Sequence, residues 1–331
     1  MRVTDLRHLV CPTCAVGLAE DGTRERDPGP TIEGGQVACP ACHHHYPVEG
    51  GVARFVAKEN YASSFGFQWH QHARTQYDSF SGVPVSERRF FGVTGWNRNL
   101  SGQLILEVGC GAGRFTEQAA LTGGFVVSVD YSRAVETNYR LNGSRPNVLI
   151  AQADVYRLPF RQSYFDKVFC FGVLQHTPDP ERAFHTLVAL LKPGGSLVVD
   201  VYKSTFTSRF LGLKYYLRPL VSSLESRRLY GLSRTWVDIM WPISEVLAAV
   251  PQVGTRLSAR LLVPRYDHLG VPRNLLREWA YLDAFDMLSP TYDQPQSLQT
   301  VRRWFEEAGL VACQVRFGPN GIVGQGRRPF D

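Results

Sequence analysis

Four of the seven cysteines in this 331-residue chain form two matched pairs, Cys11-Pro-Thr-Cys14 and Cys39-Pro-Ala-Cys42, separated by 24 residues. A C-x2-C turn lets both thiolates reach one ion, and two such turns complete a tetrahedral S4 site. Zinc suits the set because it is borderline-soft and has no geometric preference of its own. The stretch between the pairs is rich in turn formers and too poor in apolar residues to build a core, so metal is expected to supply its folding energy. Two paired turns argue against a redox dithiol. His43, His44 and His45 follow at once, but four thiolates saturate an ion, and the histidines read as exposed. One structural zinc per chain is the expectation.

A second group lies in LILEVGCGAGRFTE, residues 104–117, where an apolar run ends and glycine recurs at 109, 111 and 113. Such glycines allow unusual backbone angles and let a ligand approach the main chain closely. The dinucleotide fingerprint would place its third glycine at 114, which is Arg114; the pattern is instead E-x-G-x-G-x-G from Glu107. The next strand-like run, FVVSVD, ends in Asp130, placed to accept both hydroxyls of a ribose. A further run, NVLIAQAD, ends in Asp154, a carboxylate suited to an adenine amino group. His176 follows a fourth run, FDKVFCFGVLQH, near a substrate entrance. Its imidazole titrates near neutrality and could act as general base, or it is a satisfied supporting histidine. Tyr202 and Asp200, at the end of SLVVDVY, are the weaker catalytic candidates.

These groups need a scaffold, and the intervening sequence supplies one. Strand runs at 103–108, 125–130, 147–154, 165–176 and 196–202 alternate with helical stretches at 114–121 and 181–191, the latter closed by LKPGG. That alternation predicts an α/β fold, a parallel doubly wound sheet binding its ligand at the C-terminal strand ends. The segment SLQTVRRWFEEAGL reads as a last helix begun by Ser297, and VACQVRF and GIVGQGR as an antiparallel pair.

Two segments flank this core. Residues 59–101 crowd Phe65, Phe67, Trp69 and Tyr77 among His70, His72 and Arg74, with Gln68 and Thr75 as polar groups. Two readings stand: a packing helix, or a flap over the ligand that brings Gln68 and Trp69 to it. Residues 203–295 insert some ninety residues with helical apolar spacing, and from 203 to 280 carry twelve Lys/Arg against five Asp/Glu. A cap over the site, with Tyr215, Trp236, Trp279 and Tyr281 facing a small molecule, is preferred over a membrane or anionic-polymer docking face. Asp283, Asp286, Tyr292 and Asp293 gather where the cap rejoins the core.

Glu107/Gly109/Gly111/Gly113, Asp130, Asp154-x4-Pro159-Phe160, Phe165-Asp166, VLQHTPDP and LKPGG together resemble class I S-adenosylmethionine-dependent methyltransferases over residues 104–202. The cysteine pairs with YPVEGGV resemble the small zinc ribbons that accompany methyltransferases. The resemblance implies a Rossmann-like sheet, mostly parallel with an antiparallel last strand, and S-adenosylmethionine as the methyl donor. It implies that Gly109, Cys110 and Gly111 lie against the methionine part, Asp130 binds the ribose, and Tyr131 lies beside the adenine. Asp154 and Val155 would meet the adenine and Phe171 the sulfonium, while Glu107 would order the turn from beneath. On this reading the chain divides into a zinc ribbon (1–58), an aromatic lid (59–101), the cofactor core (102–202), a helical cap (203–295) and a closing helix and strand pair (296–331). The expected activity is methyl transfer to O or N of a small molecule. An RNA methyltransferase is the rival, opposed by a ribbon in which acids outnumber arginines. A non-catalytic scaffold is the other alternative.

Composition fits: 44% hydrophobic and 20% charged residues are globular values, and a net charge of +6 permits an anionic ligand without requiring one. No apolar run approaches the ~20 residues of a membrane span, and the first residues lack a secretory h-region. A cytoplasmic protein is expected.

Overall fold

The computed structural model describes residues 1–20, 31–204, 213–250 and 253–330. Parts of the ribbon loop (21–30) and of the expected cap (205–212 and 251–252) lie outside the described residues.

Eleven strands form one sheet among these residues: β1 (Ala19–Glu20), β2 (Gly34–Ala38), β3 (His45–Glu49), β4 (Val52–Arg54), β5 (Leu104–Val108), β6 (Phe125–Asp130), β7 (Val148–Gln152), β8 (Phe165–Phe171), β9 (Leu191–Val201), β10 (Val311–Gly318) and β11 (Gly321–Arg327). Their order is β1-β2-β3-β4-β7-β6-β5-β8-β9-β11-β10. Strands β4 through β9 run parallel where they pair, and β11 closes antiparallel on β9. The order reverses between β5 and β8, and such a switch point opens a crevice at the carboxyl ends of the strands.

The core strands are continuous apolar runs because both faces are covered. Alternate residues go to opposite sides. Leu106, Val127, Leu149, Val168 and Val199 join one cluster with Phe184, Trp304 and Phe305. Ile105, Val126, Ile150, Phe169 and Val198 join the other with Phe90, Phe115 and Val135. The covering helices include α1 (Ser63–Gln71), α2 (Asp78–Ser81), α3 (Val85–Thr94), α4 (Arg114–Leu121), α5 (Ala134–Asn142) and α6 (Pro180–Ala189).

The ribbon is not a separate lobe. Its β4 pairs in parallel with β7, and Arg54 reaches Gln152 at 2.7 Å and Glu136 at 3.0 Å. A boundary at residue 58 therefore follows the sequence but does not interrupt the sheet.

Three strand ends differ from expectation. β8 stops at Phe171, and Leu174–His176 turns into a 3-10 helix. β7 stops at Gln152, two residues before Asp154. LKPGG belongs to the start of β9 rather than to the end of α6, which closes at Ala189.

The insertion is helical, with α7 (Leu213–Val221), α8 (Ser226–Ala248), α9 (Gly254–Arg260) and α10 (Arg273–Leu288). It has its own core around Val237, Trp241, Val263, Trp279 and Ala284. Trp279 Nε1 donates to the Thr75 carbonyl at 2.8 Å, and the Tyr230 hydroxyl meets His72 Nε2 at 3.0 Å, so it is fastened to the lid segment. α11 (Leu298–Glu307) starts from Ser297, whose hydroxyl caps the Thr300 N–H at 3.0 Å. No helix among the described residues is long and apolar enough to cross a membrane.

Candidate functional site

The cysteines meet. Cys11 and Cys42 sulfurs are 3.5 Å apart, Cys14 and Cys39 3.3 Å, and all four lie within 4.8 Å of one another. A zinc with ligands at about 2.3 Å spaces its sulfurs about 3.8 Å apart. Both turns are built alike. The residue after each pair, Ala15 or His43, takes a left-handed φ of 61° or 57° and donates its N–H to the first cysteine's carbonyl, at 2.8 and 3.0 Å. His43, His44 and His45 are exposed, as their place outside a saturated S4 set requires. The donor set fits zinc.

At the sheet's switch point a cavity of about 970 Å³ opens between the core, the lid and the insertion. Of the residues singled out in the sequence, Gln68, Trp69, Gly109, Cys110, Gly111, Asp130, Tyr131, Val155, Phe171, His176 and Tyr202 line it. The lid contributes through α1, where Phe65, Gln68 and Trp69 recur at helical spacing, while Phe67 packs away against Phe285. The glycines are steric requirements. A Cβ on Gly109 (φ +79°) would stand 2.1 Å from Val173, and one on Gly111 (φ +52°) 2.8 Å from Trp69 Nε1.

Asp130, at the tip of β6, orders the turn. One oxygen accepts the Gly111 N–H at 2.8 Å; the other accepts the Ser132 N–H and hydroxyl at 2.8 and 2.7 Å. A carboxylate has about four acceptor positions, so capacity remains for a ligand. Gln68 is buried and its Oε1 has no partner. The glycine cradle, Asp130 and this orphaned amide oxygen fit a nucleoside with an attached polar tail.

Three predicted residues stand behind the wall. Gly113 packs on Asn138, where a Cβ would come within 2.1 Å. Asp154 does not line the cavity: beyond the end of β7 its carboxylate accepts the Tyr156 N–H at 3.0 Å, a local turn bond. Glu107 is buried and accepts the hydroxyls of Thr116 and Ser128. Burial pushes its carboxyl up to about 8 from an ordinary 4.5, with those hydroxyls opposing the rise. The folded state thus holds a proton that the unfolded chain has released, and stability falls as pH rises from about 4.5 to about 8. Glu107→Gln cannot ionise and should flatten that fall in a pH series of thermal melts. A variant whose melting temperature falls in parallel with wild type would contradict this.

His176 is buried. Its Nδ1 is 2.9 Å from the Tyr292 carbonyl, which fixes that nitrogen as the donor and leaves Nε2 with a lone pair and no partner. Burial lowers its pKa, keeping it neutral. The Tyr202 ring stands edge-on to it at 5.4 Å, and burial raises that phenol well above its usual range, which keeps it protonated and able to donate a hydrogen bond.

The insertion supplies Tyr215, Trp279, Asp283, Asp286 and Asp293 to the wall. Trp236 and Tyr281, expected there too, turn elsewhere, donating to the Leu261 carbonyl and to Asp238. The sequence reading missed Arg89, Tyr266 and Asn320, and passed over Arg114 as a missing glycine. Their signal was an unexplained arginine directly after the glycine turn.

This sheet, with its glycine turn and acidic strand tip facing a cavity at the switch point, is the part of the chain that is similar to known methyltransferases. Residues 106–199 match the family described as a methyltransferase domain. A ubiquinone biosynthesis O-methyltransferase of Alkalilimnicola ehrlichii is 33% identical over 127 residues, 37% of this chain and 51% of that one. Another, from Xylella fastidiosa, is 33% identical over 37% of this chain and 52% of its own. The chain spans about half the length of the curated relatives it matches. Among solved structures, an O-methyltransferase family protein from Burkholderia thailandensis superposes with a TM-score of 0.43 and 13% identity, over 76% of this chain and 59% of that one.

Proposed function

We propose that this protein transfers the methyl group of S-adenosylmethionine to an oxygen of a small molecule held between the core and the helical insertion. The observation that carries the reading is one cavity lined by two sets of residues. The glycine turn, Asp130 and Val155 are one, and His176, Tyr202 and residues of the insertion are the other. That the curated relatives are O-methyltransferases supports oxygen over nitrogen.

When bound, the cofactor supplies an electrophilic methyl, so the protein's task is to hold an acceptor in line and take its proton. Asp130 would hold the ribose, Gly109–Gly111 would admit the methionine part against the main chain, and Gln68 and Trp69 would close over it. Tyr131 and Val155 would flank the adenine; Phe171 would face the sulfonium. His176 Nε2, neutral and unpartnered, would take the acceptor's proton while Nδ1–H stays on the Tyr292 carbonyl. Tyr202 would help position the acceptor.

His176→Asn should lower kcat by about 10²–10⁴ and leave S-adenosylhomocysteine affinity within about twofold. In wild type, activity should fall as pH drops through a histidine value below the usual ~6.5. An unchanged kcat would return His176 to a supporting role. Labelled methyl appearing on acceptors across a panel of phenols and catechols tests the function itself; transfer to none of them, with cofactor bound, would count against it.

A further inference from the structure

Among the described residues several cations of the cavity wall form no ion pair, and Arg114 is the one that directly follows the glycine turn. Arg114 begins α4 and lines the wall, its guanidinium carbon 4.5 Å from the Phe115 ring centroid. The Arg89 guanidinium lies 5.3 Å from the same centroid, so the two cations gather at one ring. Phe115 in turn stands edge-on to Phe171 at 5.3 Å, which brings the pair beside the expected point of methyl transfer.

The two are not equally satisfied. Arg89 donates to the fully buried Asp200 at 2.9 Å, and Asp200 also takes the Asn320 amide at 3.2 Å; the Arg89 Nε is buried without a partner. Arg114 forms no hydrogen bond or ion pair among the described residues. The nearest acid on the cap side, Asp283, is occupied by the Tyr266 hydroxyl, and burial pushes its carboxyl up to about 7. It is therefore a weak counter-ion near neutrality. A guanidinium keeps its proton near neutrality, and the donors of this half-buried one are free of protein acceptors and open to an anionic ligand. Burial and the neighbouring Arg89 lower its own pKa to about 10, against the opposing pull of Asp283, Tyr266 and Asp78. Cationic side chains outnumber acids along the whole wall.

We propose that Arg114, backed by Arg89, is the anchor for a carboxylate carried by the methyl acceptor. Its forked donors suit a carboxylate bidentately. Asp283 and Tyr266 of the insertion are among the charges that act on Arg114, which assigns the anion to the acceptor's side of the cavity. The inference rests on the methyltransferase reading above and narrows its substrate class to acids.

The test is calorimetric titration of the full chain, saturated with S-adenosylhomocysteine, with 3,4-dihydroxybenzoate and separately with 3,4-dihydroxybenzamide. Wild type should bind the acid about tenfold or more tighter than the amide, as a charge-assisted pair implies. Arg114→Gln should bring that preference to about unity, and Arg114→Lys should keep part of it, showing that the fold survives substitution. S-adenosylhomocysteine affinity should be unchanged in both variants. Acid and amide behaving alike in wild type, including neither binding, overturns the proposal. So does a tenfold loss of S-adenosylhomocysteine affinity in Arg114→Gln, which would put the carboxylate on the cofactor. Failure of wild type to bind S-adenosylhomocysteine at all would instead remove the underlying function.

Discussion

Cys39→Ser should empty the metal site and melt the ribbon. Cys39 is buried and its sulfur is 3.3 Å from that of Cys14, so a serine there leaves three thiolates and an open corner. Structural zinc contributes roughly 10–16 kcal/mol of apparent folding free energy in small zinc domains. Leu9, Ile32 and Val37 of the ribbon are buried in the cluster that also holds the core strands, so loss of the metal should loosen their packing. The damage should reach the core, because β4 supplies the edge partner of β7 and Arg54 bonds Gln152 and Glu136. Metal analysis of wild type should give about one zinc per chain, and the variant close to none, with early proteolysis before residue 58. A variant that keeps its zinc and melts with wild type would contradict the S4 assignment.

Asp130→Ala should weaken cofactor binding by about 10² or more. Two hydrogen bonds from a ribose diol to a carboxylate are worth ~1.5–3 kcal/mol each. The same substitution frees the Gly111 N–H and both Ser132 donors, so the glycine turn loses the group that orders it. Asp130→Asn, which keeps an acceptor oxygen, should lose less. The sheet should survive, since Asp130 sits at the tip of β6 while Val126 and Val127 carry its packing. Affinity equal to wild type in Asp130→Ala would remove the ribose assignment.

What the sequence disclosed was local. The five core strands read out because both faces are buried, which makes each an unbroken apolar run. The cysteine set read out because two short turns fix four ligands by spacing alone. The strand-tip acid Asp130 followed from its place at the end of FVVSVD. Asp154 differs from the reading in its place: it lies two residues beyond the end of its strand, where its carboxylate accepts the Tyr156 N–H in a local turn.

The cap was legible as helices but not as surfaces. Helical spacing told that Trp236 and Tyr281 had an inward and an outward choice, and only packing against Leu261 and Asp238 decided it. The part of the cavity proposed for the acceptor was the least legible. Arg89 from α3, Arg114 from α4, Asp283 from α10 and Tyr266 from the turn before it are brought together only by the tertiary fold. No periodicity links them. His176 could be singled out in sequence, but its free Nε2 depends on the Tyr292 carbonyl, far along the chain.

The central claim, that the cavity is built for S-adenosylmethionine, is tested most directly by calorimetric titration of the full chain with S-adenosylmethionine and with S-adenosylhomocysteine. One-to-one binding of both in the micromolar range, about −8 kcal/mol, and its loss in Asp130→Ala, is the predicted result. No binding of either ligand to folded, zinc-loaded protein would contradict it.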